Sequence, residues 1–236
     1  MYEEPETFPA DVLPRSWPAR VERAETDARK RTFTALLQVA VAYALIEAAL
    51  WTMPGRLEFA WIVLASAVIL LSMLAGDPSF RQLGVAAPTL TAIGWTVLAG
   101  IACAATIPLF SMTMGYYSAP AHVLPFRQAC QYAVWALVQQ FILQSFFFSK
   151  LEAILGGRRA VVLTAMLFGV AHIPSPILTL CSFLGGLLFC EMFRRYRTIF
   201  PLGLVHAVLG LVIAASFSDA VLRHMRVGEG YLRFHH

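Results

Sequence analysis

From residue 33 onward the chain is a succession of long apolar runs broken by short polar, proline- or glycine-bearing stretches. A membrane-spanning helix needs about 20 mostly apolar residues. Runs near or somewhat below that length fall at 33–53, 59–75, 90–112, 129–149, 160–172, 177–193 and 199–217. They predict an all-α, polytopic membrane helix bundle of about seven transmembrane helices. Pro54-Gly55-Arg56 closes the first run and Gly76-Asp77-Pro78 the second. Segment 79–88 is too short and polar to span, which places it at the interface, and the loop after the third run carries Gly115, Tyr116, Tyr117, Pro120 and Pro125. The fifth run is short, and Pro174 and Pro176 follow it at once, so a break or bend is expected there. No repeat of 20–50 residues is visible. The organisation expected is a polar cytoplasmic tail over 1–32, a membrane domain over 33–217 and a polar tail over 218–236.

Composition agrees with this pattern. Of the 236 residues 58% are hydrophobic and only 14% charged, against about a quarter charged in soluble domains. Mean hydropathy is +0.67. Lipid must therefore be the solvent for much of the surface. The net charge of +4 sits in tails and loops, which reads as topology and not as nucleic-acid binding. Cys103, Cys130, Cys181 and Cys190 are dispersed in apolar stretches without disulfide or zinc-finger spacing, and read as buried small apolar side chains. The charged, proline-bearing first 32 residues lack the pattern of a cleavable secretory signal.

Lys and Arg concentrate in cytoplasmic loops. A cytoplasmic N-terminus puts Arg29, Lys30, Arg31, Arg81, Lys150, Arg158, Arg159, Arg194, Arg195 and Arg197 inside, and Arg56 and Arg127 outside. Arg223, Arg226 and Arg233 then fall outside and oppose the scheme, but four inside segments outweigh one tail.

Polar side chains within apolar runs single out candidate chemistry, because in hydrocarbon they face the bundle interior or a wet cavity. Gln139, Gln140 and Gln144 interrupt the fourth run; Gln140 and Gln144, four apart, share a helix face. His172 closes the fifth run in Phe168-Gly169-Val170-Ala171-His172, and His206 lies about two turns inside the seventh. Two imidazoles and three amides on three helices can converge in one cavity. A neutral imidazole ligates a metal or shuttles a proton, whereas an amide orients water or a carbonyl but takes no proton. The plainer reading is interhelical glue at roughly 0.6 kcal/mol per hydrogen bond. Glu47 is the one acid well inside an apolar run, and is protonated, paired or close to water. Glu191, within helical reach of Arg194 and Arg195, reads as an interfacial ion pair.

The order glutamine pair, Phe-x-x-x-His, then His before a short apolar segment resembles the CAAX protease and bacteriocin-processing (CPBP, or Abi) family of intramembrane endopeptidases. Its three motifs are Glu-Glu-x-x-x-Arg, Phe-x-x-x-His and His-x-x-x-Asn or a similar polar residue. The first falls on Gln139-Gln140-Phe141-Ile142-Leu143-Gln144, the second on Phe168 to His172, the third on His206 to Gly210. Gln82-Leu83-Gly84-Val85 is similar to the family's interfacial Leu-Gly-Leu, and 183–206 follows its approach to the last histidine. The resemblance covers roughly 80–215.

What it implies is an endopeptidase in a bacterial inner (cytoplasmic) membrane. It would act on a membrane-associated protein or peptide in a cavity lined by His172, His206 and the Gln139/Gln140 pair. Gln139, Gln140, Gln144, His172 and His206 carry the site, and His172 and His206 are the ligands for a divalent metal such as zinc if one is used. The departures fall on the chemistry. In the family the first glutamate activates water, the histidines and the polar residue of motif three assist or stabilise the oxyanion, and a raised carboxylate pKa suits the base. Neither Gln139 nor Gln140 can be that base, Gln144 lacks the arginine's charge, and Gly210 is not polar. Replacing two acids and a base by three amides removes a buried ionic cluster while keeping shape and hydrogen bonding. Two further readings therefore accompany the enzyme. One is an inactive pseudoprotease that binds a membrane protein or lipid as scaffold, chaperone or immunity factor. The other is an enzyme acting on an apolar isoprenoid or lipid, ranked last because the sequence offers no phosphate-binding acid cluster of the Asp-rich type.

Overall fold

Charged residues fill the first half of a long opening helix and apolar ones its second half, so one element leads the chain from water into the bilayer. This is α1, Trp17–Leu50, in a computed structural model that describes residues 17–117 and 125–233 with side chains from Arg20 onward. The predicted tail up to residue 16, Pro120 of the long loop and the last three residues lie outside the described residues. Next come α2 (Arg56–Leu74), whose Glu58 side chain accepts from the Gly55 N–H, and α3 (Leu90–Thr113), capped by Thr89, which accepts from the Ala92 N–H at 3.2 Å. The chain continues through α4 (Phe126–Gln140), a π-helical stretch over Phe141–Phe148 and α5 (Ser149–Leu155) without leaving helical backbone. Then follow α6 (Gly157–Val170), α7 (Pro176–Tyr196), α8 (Phe200–Ser216) and two short pieces, α9 (Asp219–Leu222) and α10 (Gly228–Leu232).

The protein is thus an all-α membrane bundle. Among the described residues, four helices are long and apolar enough to cross a bilayer: Arg20–Leu50 within α1, α2, α3 and α7. Their outward residues are those of a lipid-facing surface, with Leu71 65% exposed, Ile101 62% and Leu184 54%. The other three predicted runs fall on the α4–π–α5 rod, on α6 and on α8. At 1.5 Å per residue, the 14 residues of α6 reach only about 21 Å, short of a hydrocarbon core of about 30 Å. The predicted break at Pro174 and Pro176 is present as the turn between α6 and α7.

Helices pack where glycine removes a side chain. A Cβ at Gly186 of α7 would lie 2.9 Å from Ala165 Cα of α6. On α8, one at Gly203 would lie 3.1 Å from Leu137 Cα of α4. Gly100 of α3 accepts Val205 in the same way, so α8 runs between α3 and α4. The interfacial segment before α3 is tied down by Leu83, whose carbonyl accepts from Ser145 Oγ at 2.6 Å, and by Gly84, whose carbonyl accepts from the Ile199 N–H at 2.9 Å. Gly84 has φ +71°, and a Cβ there would strike the Phe193 ring.

At the opposite end of the rod from α4, Lys150 donates to Gln38 Oε1 of α1 at 2.7 Å, and Arg197 pairs with Glu152. Glu191 bridges Arg194 and Arg195 at 2.8 and 2.6 Å, as expected from their spacing. The cysteines are all free, but the expectation that all are buried needs correction: Cys190 is buried, Cys103 and Cys181 are half-buried, and Cys130 is exposed near the start of α4.

Candidate functional site

The π-helical stretch is where the fourth helix meets the core. All six residues from Leu143 to Phe148 are buried, and the carbonyl of Gln144 accepts both the Ser149 N–H and, at 2.9 Å, the Ser149 hydroxyl. Such i→i+5 turns cluster at functional positions and open the helix locally. The widened turn brings residues four apart closer to vertical register. Gln144 Nε2 donates to Gln140 Oε1 at 3.1 Å, and both side chains are fully buried.

Gln140 passes the chain on. With its oxygen occupied by Gln144, its NH2 group faces His206, and Nε2 stands 3.2 Å from His206 Nδ1. With the Gln140 amide in this orientation its nitrogen donates, which makes His206 Nδ1 the acceptor and assigns the ring proton to Nε2. His172 has the opposite tautomer. Its Nδ1 lies 2.7 Å from the Phe168 carbonyl, which only accepts, so the proton is on Nδ1 and Nε2 keeps its lone pair. The Phe168 ring sits between the imidazoles, edge-on to both, with centroids 4.9 Å from His172 and 5.7 Å from His206. Phe189 closes the other side of His206 at 5.4 Å.

Both histidines and Gln139 line a cavity of about 620 Å³ whose other walls come from α1, α2, α3, α7 and the segment after α8. The volume falls in the range of about 300–1,000 Å³ usual for ligand sites. Most of the lining is apolar; Tyr43, Tyr132, Glu58 and Ser182 add polar groups. His172 belongs to the non-helical turn after α6. Ala171 and His172 of this turn both line the cavity, which is where irregular backbone is tolerated in a membrane protein.

The five residues singled out by sequence therefore divide in two. Gln139, His172 and His206 reach the cavity, whereas Gln140 and Gln144 lie behind it and hold His206 from the rear. Gln144 Oε1 is enclosed without a hydrogen-bond partner among the described residues.

Glu47 approaches by another route. Tyr43 of α1 donates to the Leu167 carbonyl of α6 at 3.0 Å, docking α1 on the end of α6. One turn on, Glu47 lies close enough to His172 for the two side chains to interact electrostatically, so α1 brings an acid to the site. Glu47 Oε2 accepts from Trp51 Nε1 at 3.2 Å, and its enclosed Oε1 has no partner among the described residues. The odd acid in an apolar run was the signal in the sequence; the neighbour was not. Tyr132 was missed altogether.

A metal fits this donor set poorly. Catalytic zinc takes three protein ligands, and no group of three His, Cys, Asp or Glu side chains that could hold an ion occurs among the described residues. Two imidazoles of opposite tautomer suit proton transfer and hydrogen bonding.

Residues 120–212 match the family model described as Type II CAAX prenyl endopeptidase Rce1-like. The stretch carries all five site residues, and it bears out the resemblance drawn from the three motifs. Comparison with curated proteins and with solved structures found no match.

Proposed function

We propose, from the premise that residues 120–212 are Rce1-like, that the chain is an intramembrane endopeptidase whose acid–base work is done by imidazoles in place of the motif-one carboxylate. The opposite tautomers of His172 and His206 carry this reading. A peptide bond entering the cavity is attacked by water. As the water oxygen bonds to the carbonyl carbon, its proton passes to His172 Nε2 and the C=O π pair moves onto oxygen. That oxygen accepts a hydrogen bond from His206 Nε2–H, held in place by the Gln144–Gln140 chain. The C–N bond then breaks as His172 returns its proton to the leaving amine. Glu47, beside His172, stabilises the imidazolium formed between the two steps, and Gln139, on the cavity wall, positions the water.

The substrate class is a membrane-associated protein, since the cavity is mostly apolar and walled by bilayer-crossing helices. The location we assign is a bacterial inner membrane with a cytoplasmic N-terminus, on the distribution of Lys and Arg. Protein termini are compared in membranes from cells making the parent chain or His172→Ala at equal abundance. Termini present with the parent and lost in the mutant support the enzyme; identical termini with the mutant folded contradict it.

The buried, uncharged Gln140–Gln144 pair favours one second reading, a pseudoprotease that binds a membrane protein or lipid without cleaving it. It predicts that the parent generates no termini and that Gln139→Glu with Gln140→Glu generates some.

A further inference from the structure

His206 and Gly210 lie one turn apart on α8, facing the same side. Gly210 has no side chain, and the place is taken from another helix. A Cβ at Gly210 would fall 2.6 Å from Tyr132 Cζ, 2.7 Å from Cε1 and closer still to the hydroxyl oxygen. Tyr132 stands on α4 about two turns before Gln139, and the two residues line the same cavity with both histidines. None of the hydrogen bonds among the described residues uses its hydroxyl. A phenol in apolar surroundings ordinarily finds a partner, so a tyrosine here, where phenylalanine would pack equally well, points to a partner that enters the cavity.

We propose that Tyr132 is a catalytic hydrogen-bond donor, its O–H joining His206 Nε2–H on the carbonyl oxygen of the bond being hydrolysed. This rests on the hydrolytic reading above. When the water oxygen bonds to carbon and its proton moves to His172, the carbonyl oxygen takes the π pair and becomes anionic. Both donors then shorten their hydrogen bonds, and Tyr132 keeps its proton. The charge appears only in the transition state, so the contribution falls on kcat. Any side chain at position 210 would displace the phenol, which accounts for the glycine one turn after the histidine.

The experiment follows how fast the His172-dependent termini appear in membranes containing the parent or Tyr132→Phe at equal abundance. The expected result is a rate about a hundredfold lower for Tyr132→Phe, with the same cleavage positions and an unchanged unfolding temperature. A parental rate in Tyr132→Phe overturns the donor role and leaves the hydrolytic reading standing. Indistinguishable termini in the parent and His172→Ala overturn both. Tyr132→Ala with Gly210→Asn tests the chemistry apart from the ring: an amide placed in the vacated space is expected to recover at least tenfold over Tyr132→Ala alone. A double variant no faster than Tyr132→Ala counts against donation as the missing function.

Discussion

Gln140 spends every polar atom of its side chain inside the protein: the oxygen takes Gln144 and the nitrogen gives to His206. Truncation to alanine strands two buried partners, and a buried group left without its hydrogen bond costs about 1–3 kcal/mol. Gln140→Ala is therefore expected to lower stability by that amount, read as thermal unfolding in detergent, and to lose activity with it. Gln139 reaches the cavity, and none of the hydrogen bonds among the described residues uses its side chain. Gln139→Ala should stay within about 0.5 kcal/mol of the parent. Two adjacent glutamines that look alike in the sequence thus separate into one that braces and one that faces substrate. His172→Ala is expected to cost about 10²–10⁴-fold in cleavage rate, the usual worth of a general base, with little change in stability. Polar residues in apolar runs were legible as site candidates because hydrocarbon makes them conspicuous. Tyr132 was not, because an aromatic ring in a membrane helix looks like core, and its meaning depends on an empty position on a different helix.

At the scale of elements, the apolar runs were readable and their limits were not. The π-helical stretch leaves no mark in the hydrophobic pattern, since the side chains of Phe141–Phe148 are as compatible with one helix form as with the other. It arises from packing, where three phenylalanines in succession are buried and Ser149 closes the wide turn on the Gln144 carbonyl. The α6–α7 pairing depends on Gly186, whose absent Cβ lets Ala165 approach. Gly186→Leu must push these helices apart, and with them His172 from His206. The expected outcome is a loss of about 1–3 kcal/mol in thermal unfolding together with activity. Gly94 provides the control: a Cβ there meets nothing within 4 Å. Gly94→Ala should therefore be neutral or stabilising, by up to about 1 kcal/mol from helix propensity alone.

Across the whole molecule, the chain beyond α8 turns back on the bundle. Gly228 donates its N–H to the Ile173 carbonyl at 2.9 Å, next to His172, and Met225 and Val227 line the cavity. Gly228 has φ +56°, and a Cβ there would meet the Leu50 carbonyl, 2.7 Å from its carbon. Gly228→Val is expected to undock this segment and speed tryptic cleavage at Arg226 in detergent-solubilised protein, with the rest of the bundle intact. The return of the segment was illegible because its anchors are backbone groups, which any sequence possesses. Hydrolysis by water without a motif-one carboxylate can be followed with purified chain in lipid nanodiscs. Host membrane proteins are added in water enriched in oxygen-18, and newly formed C-termini are read by mass spectrometry. With the parent chain each new carboxylate is expected to carry one heavy oxygen, and with His172→Ala none of those termini should form. Unlabelled termini, or termini that survive His172→Ala, would contradict it.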